Sequence, residues 1–385
     1  MPRKKNQKKI RTQFRQKYDE RTRQNDLTRD FADADQADDL LEQRERISGK
    51  GRLARKRTVR GEEIETAEGT DILLEVDETR SQSGLVISVH GLNSFVESSD
   101  GRLFQCATRK LLKTLSTDQR HIVVAGDQVQ FIPASDHSDT GLIVRIEPRF
   151  GTISRTSRNR QHVIAANIDQ MIVMGSAAMP DLKPHLIDRF LVTAEKSGIH
   201  PIICINKIDL VDPSKLQPLL GVYAQIGYQT HAVSAVEGWN IPRIRNLLED
   251  KRTVVVGQSG VGKSSLLNAI QPGLGLRVAA VSAENQKGKH TTTSAKLIKL
   301  ENGGYIVDTP GVRQFELWDV IADEVAGFFL ELRPFAAKCR YPNCTHTHEQ
   351  DCSVKNAVAD GELDMRRYES FCQIQQDCGT PTSSK

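Results

Sequence analysis

The sequence predicts three unlike parts in series behind a charged extension: a small β-barrel, an α/β domain on a mostly parallel sheet, and a helical tail that holds a metal. Three observations carry this. Residues 83–150 break into short β-branched segments separated by Gly, Asp and Ser. Residues 151–325 alternate apolar strands with helix-spaced segments, and residues 326–385 gather Cys339, Cys344 and Cys352 within 14 positions.

Residues 1–82 come first and are expected to be a flexible basic extension. Positions 1–60 hold 19 Lys and Arg against 10 Asp and Glu, whereas the whole chain has a formal charge of only +4. The first 29 residues contain 11 basic and 3 acidic side chains and almost nothing apolar. Such a segment buries too little surface to fold alone but neutralises phosphates well. RNA contact is the functional reading and a solubilising tail the plain one; "QKYDERTRQ" and "LLEQRERI" are candidates for short surface helices. No apolar run nears the ~20 residues of a membrane span, and the basic N-terminus lacks the apolar stretch of a secretory signal. The cytoplasm, with no membrane partner, is therefore expected.

The barrel is predicted from "GLVISVHGLNSFVES", "GRLFQCATRKLLKTL", "HIVVAGDQVQFIP" and "GLIVRIEPR", four or five strands in some 65 residues. An oligonucleotide-binding barrel has about this size, and an SH3-like barrel fits nearly as well. Arg109, Lys110, Lys113, Arg145 and Arg149 are compatible with RNA, though scattered surface charge reads the same way.

In the α/β part, "QMIVMGSAA" (170–178) is a buried strand, and "PHLIDRFLVTAEKSG" (184–198) is a helix closed by Gly. "HPIICINKIDLV" is a strand and loop, "QPLLGVYAQIG" a helix, and "QTHAVSA" a strand. "RTVVVG" runs into a Gly-rich loop, "KSSLLNAI" opens a helix, and "YIVDTPG" is a strand and loop.

That Gly-rich loop is "GQSGVGKSS": Gly257, Gln258, Ser259, Gly260, Val261, Gly262, Lys263, Ser264 and Ser265. It has the G-x-x-x-x-G-K-[ST] form, strand before and helix after. Its glycines let backbone N–H groups turn onto phosphate oxygens, Lys263 reaches the β- and γ-phosphates, and Ser264 is placed for Mg²⁺. "NKID" supplies the base: the Asp209 carboxylate accepts from guanine N1–H and the exocyclic amine, which adenine does not offer. Lys207 and Ile208 lie beside it, with Lys207 along the base and Asn206 tying the loop to the ring. "SAVEG" reads as a second base loop, with Ser234 and an Ala235 N–H meeting guanine O6. "DTPG" adds Asp308 for Mg²⁺ through water and the Gly311 N–H for the γ-phosphate. "KGKHTTT" (287–293) is a switch segment in which Thr292 is the favoured Mg²⁺ ligand.

The order is base, base, phosphate, switch, switch, whereas an ordinary GTPase begins with the phosphate loop. Joining the old ends and cutting before the base loops keeps all loops at the carboxyl ends of the strands. The domain therefore reads as a circularly permuted P-loop GTPase.

Cys339-x4-Cys344-x-His346-x5-Cys352 offers three thiolates and an imidazole, a closed tetrahedral set that suits one structural Zn²⁺. His348 is the rival imidazole, and Cys372 and Cys378 are distant rivals.

Together, NKID, SAVEG, GQSGVGKSS, KGKHTTT, DTPG and the cysteine pattern behind a small barrel resemble the ribosome small-subunit-dependent GTPase A family over about residues 83–375. The resemblance implies an oligonucleotide-binding barrel at 83–150, a permuted GTPase at 151–325 and a zinc domain at 326–385. It also implies late assembly of the small ribosomal subunit, contact with ribosomal RNA, and slow GTP hydrolysis to GDP that the subunit accelerates. A monomer is expected; a GTP-dependent switch or scaffold on another RNA is the alternative. The residue after the DxxG element, often a water-orienting glutamine, is Val312 here. His290 in the switch loop is then the candidate catalytic residue, supported by the resemblance, with RNA contact as its plainer role.

Overall fold

The computed structural model describes residues 9–13, 56–66, 69–74, 76, 79–109, 112, 122–135, 138–157, 160–275, 295–308 and 320–379. They pack as two units: residues 1–167 with 294–297, and residues 168–293 with 298–385.

In the first unit, β1 (Lys9–Gln13), β2 (Lys56–Thr66) and β3 (Gly69–Leu74) pair antiparallel in that order. The sequence reading held no strand there, because the charged repeats of "KRTVRGEEIET" offer no apolar face to recognise. The two candidate surface helices lie outside the described residues.

The barrel comprises β4 (Gln82–His90), β5 (Asn93–Ser98), β6 (Leu103–Thr108), β7 (Gln128–Pro133) and β8 (Thr140–Ile146). Alternating burial turns Val86, Val96, Phe104, Cys106, Val129, Phe131 and Ile143 inward as one core. Strand order is β4-β5-β6-β8-β7, closed by antiparallel β4–β7 pairing, and β6–β8 is the parallel pair. This order distinguishes the oligonucleotide-binding barrel from the SH3-like alternative. Arg149, one of the scattered basic residues, turns inward instead: its Nε lies 2.7 Å from the fully buried Asp127 carboxylate. A hairpin of β9 (Ile153–Ser157) and β10 (Arg160–Ala165) follows.

The second unit holds the sheet β13-β12-β11-β14-β16, from β11 (Gln170–Ser176), β12 (His200–Asn206), β13 (Gln229–Ala232), β14 (Arg252–Gly257) and β16 (Tyr305–Asp308). All four pairings are parallel. Strand β15 (Lys296–Lys299) precedes β16 across a tight turn in which Leu300 N–H donates to Gly304 O at 2.7 Å. Every residue of β11 is buried, as expected of a strand covered on both faces.

Helix α1 (Pro184–Ser197) follows β11 and ends at Gly198, whose φ of +64° supplies the left-handed cap. Helices α2 (Gln217–Ile226), α3 (Ile241–Leu247) and α4 (Lys263–Ile270) follow. The tail adds short α5 (Val325–Phe328) and α6 (Arg333–Ala336), then α7 (Ser353–Ala359) and α8 (Met365–Gly379). Val192 of α1 shares a core with Val325, Phe329, Leu332, Phe371 and Ile374, so the tail is packed on α1.

Candidate nucleotide site and metal centre

Strand β14 lies between β11 and β16 and delivers the Gly-rich loop at the carboxyl edge of the sheet. The apolar side of α4 (Leu266, Leu267, Ile270) joins the core of Ile172, Met174 and Ile202, which fixes where the helix begins. Gly257 has φ +145° and Gly262 φ +95°. A Cβ on Gly257 would stand 2.3 Å from Met174 O, and one on Gly262 2.4 Å from Asn206 Nδ2. Glycine is thus required at both positions by backbone angle and by space. Lys263 Nζ donates to Gly257 O at 2.8 Å and Gln258 O at 2.9 Å, curling over the loop. Ser264 and Ser265 open α4 half-buried, Val261 is buried, and Ser259 is exposed.

Asn206 ends β12 with its side chain buried. Its Nδ2 donates to Val261 O at 3.0 Å, and its Oδ1 accepts from Ala235 N at 3.1 Å. One amide therefore ties both base loops to the phosphate loop. Lys207, at φ +64°, donates from Nζ to Gly260 O at 2.8 Å and to Met179 O. Ile208 anchors the following 3-10 turn by burial, leaving Asp209 exposed beside it. In the second base loop, Ser234 N donates to Trp239 O at 3.2 Å and Ser234 Oγ accepts from Glu237 N at 3.1 Å, closing the turn. Asp308 ends β16, one position past the Val254–Val307 pair, and is exposed.

The structure thus brings Asn206, Lys207, Ser234, Ala235 and the 257–263 loop together. His290, Thr292 and Gly311, with Val312, lie outside the described residues. Sequence reasoning had Asn206 tie the loop to the base ring; the structure adds that its amide also bonds Val261 O and Ala235 N, two contacts that the motif alone does not announce. Sequence reasoning missed Met179, whose contribution is a backbone oxygen and leaves no trace in residue type.

In the tail, one donor atom from each of Cys339, Cys344, His346 and Cys352 falls within a 4.8 Å group. Cys339 Sγ is 3.8 Å from Cys352 Sγ, and His346 Nδ1 is 3.4 Å and 3.5 Å from these sulfurs. Tetrahedral Zn²⁺ bonded to sulfur and nitrogen sets its ligands about 3.5–3.8 Å apart. The four residues fit such an ion, and they can hold a structural metal. Burial lowers the His346 pKa, favouring the neutral ring that a metal binds. His348 is exposed, with Nδ1 3.3 Å from Thr345 Oγ1, and Cys372 and Cys378 stand outside the group. The remaining thiols, Cys106 and Cys204, are pushed up to about 12 by burial and are not nucleophiles.

Helix α8 joins this centre to α1. Arg367 pairs with Asp188, whose carboxylate also accepts from Tyr223 Oη at 2.7 Å. The Arg367 guanidinium lies 2.6 Å from Glu331 and 4.5 Å over the Phe329 ring. Arg189–Asp377 at 2.5 Å and Lys196–Glu324 at 2.9 Å add pairs along the rim.

A sequence profile of the RsgA GTPase family matches residues 146–318. A protein of Gemmatimonas aurantiaca named "Small ribosomal subunit biogenesis GTPase RsgA" is 39% identical over 302 residues, spanning 78% of this chain and 98% of its own. The protein of that name in Shewanella oneidensis is 38% identical over 297 residues, spanning 76% and 82%. Among solved structures, YjeQ from Thermotoga maritima superposes with a TM-score of 0.65 at 33% identity, over 77% of this chain and 98% of its own. YloQ, described as a circularly permuted GTPase, superposes with a TM-score of 0.62 at 29% identity, over 79% and 98%.

Proposed function

This chain belongs to the RsgA GTPase family, and from that premise we propose that it hydrolyses GTP while bound to the small ribosomal subunit during late maturation. The observation that carries the site assignment is the Asn206 amide, which holds NKID, SAVEG and the phosphate loop as one concave set. Asp209 reads the guanine edge, Lys207 flanks the base, and Ser234 and Ala235 close the loop over O6. The residues from Gly257 to Ser265 cradle the phosphates, with Lys263 leaving the carbonyls of Gly257 and Gln258 for the β- and γ-oxygens.

Hydrolysis breaks the bond between the γ-phosphorus and the bridging oxygen and yields GDP and phosphate. Val312 has no polar group to aim the attacking water, so His290 is assigned that task, with the Gly311 N–H facing the γ-phosphate and Asp308 placed where it would hold Mg²⁺ through water. Mg²⁺, held by Ser264 and Thr292, would supply charge neutralisation on the phosphates. The Cys339, Cys344, His346 and Cys352 set is assigned to one structural Zn²⁺.

The barrel at 83–150 and the zinc domain at 326–385 flank the GTPase centre at 151–325 and are read as ribosomal RNA contacts, with the basic extension 1–82 adding a further one. No helix among the described residues is long and apolar enough to cross a membrane. A cytoplasmic monomer is the form proposed. The test is GTP turnover alone and with small subunits, with ATP as control, for the wild type and His290→Ala. Stimulation confined to GTP and small subunits, lost in the variant with nucleotide affinity kept, is expected; equal turnover with and without subunits would overturn the reading.

A further inference from the structure

The histidine of the metal set stands on an unusual piece of backbone. His346 has φ +62°, a left-handed conformation that costs a side-chain-bearing residue free energy and is held here by named neighbours. One oxygen of Glu349 accepts from Thr345 N and from Thr345 Oγ1, each at 2.7 Å, and the other accepts from Thr347 N at 3.2 Å. The carboxylate therefore grips the chain on both sides of His346. The carbonyls of the same stretch are held from α8: Tyr368 Oη donates to His346 O at 2.9 Å, and Gln375 Nε2 donates to Thr345 O at 3.2 Å. Glu349 is itself fixed, since Lys355 Nζ donates to its carbonyl at 3.0 Å.

We propose that Glu349 is the positioning residue of the metal centre, holding His346 in the left-handed turn that aims Nδ1 at Cys339 and Cys352. The proposal rests on the reading of this centre as a zinc site. A carboxylate fits because its three partners are all donors, so an acceptor-only group satisfies them without conflict. The neighbouring His348 is excluded as ligand by the same grip, which closes the turn with its ring in solvent. Holding the turn in advance removes the ordering that the metal would otherwise have to impose.

The test is metal binding by the full chain, with Zn²⁺ content measured first and then its affinity read from equilibrium competition with a chromogenic chelator. Glu349→Ala removes the grip; Glu349→Gln keeps the shape but turns an NH₂ toward one of the N–H partners; Glu362→Ala, an exposed glutamate in the same module, is the control. Loss of such supporting groups costs about 10- to 100-fold in metal affinity. Zn²⁺ affinity is expected to fall by that factor in Glu349→Ala, by less in Glu349→Gln, and not at all in the control. With Co²⁺ in place of Zn²⁺, the absorption of the Glu349→Ala complex should lose the signature of three thiolates with one imidazole, as water replaces His346. A wild-type chain without bound metal would sink the zinc reading itself. Wild-type binding with unchanged affinity in both variants, or weakened binding with an unchanged Co²⁺ spectrum, would overturn the positioning role of Glu349.

Discussion

Arg367 and Asp188 form an ion pair across 179 positions of sequence, and their side chains are 4% and 1% exposed. Burial pushes the Asp188 carboxyl up, and the Arg367 charge beside it pulls it back. Removing one partner strands the other charge out of water, which costs about 3–5 kcal/mol. Arg367→Ala should therefore lower the urea midpoint sharply. Arg367→Met combined with Asp188→Leu should recover only part of the loss, because the Phe329 and Tyr223 rings accept apolar neighbours while the Glu331 carboxylate and Tyr223 Oη each lose a partner. A double variant as unstable as the single one would contradict this.

Gly262→Ala places a methyl against Asn206 Nδ2 at a backbone angle alanine resists. Strain and the lost Asn206–Val261 bond together cost about 2–4 kcal/mol of site organisation, or roughly a 30- to 1,000-fold loss of nucleotide affinity. Titration with a fluorescent GDP analogue reads this directly, and far-UV circular dichroism should stay unchanged.

Asp209→Asn exchanges an acceptor-only group for one that also donates. Guanine loses a hydrogen bond to a charged group, about 1.5–3 kcal/mol, whereas xanthine, with a carbonyl at C2, gains a donor. Competition between GDP and XDP should shift toward XDP by tenfold or more. A variant that binds neither would show that Asp209 supports the loop and does not read the base.

His231 and His185 bring a pH dependence. Burial, then Arg243, lowers the His231 pKa below 6.5, and burial, then Arg189, does the same for His185. His231 Nε2 and His185 Nδ1 are buried without a hydrogen-bond partner. Below pH 6.5 the unfolded chain takes up protons that the folded one refuses, so stability is full above that pH and falls with acidification. The urea midpoint should drop between pH 7 and 5.5, with a shallower slope in His231→Leu.

Much of this could be read from the sequence because its signals are contiguous. The phosphate loop, NKID and the cysteine spacing each lie within a few residues, and α4 runs over the "KSSLLNAI" segment the pattern marked. What escaped depends on pairing at a distance or on backbone atoms. Strand number cannot distinguish the two barrel types; the parallel β6–β8 neighbours do. Nothing in "HLIDRF" announces that Asp188 is sunk beneath an arginine near the other end of the chain. Glu349 reads as one more surface carboxylate until the turn around His346 is seen.

The Asn206 amide has a consequence for synthesis. Its partner Val261 lies 55 residues downstream, so a chain made from its N-terminus exposes the base-reading half first. Until β14 arrives, β11 presents an unpaired edge built around Met171, Ile172, Val173 and Met174, the kind that sticks to other chains. A GTPase in the ordinary order starts from its phosphate loop and can build outward on a bound nucleotide. Here the base-reading loops precede Gly257–Ser265 in synthesis, so nucleotide can brace the site only once that loop has emerged.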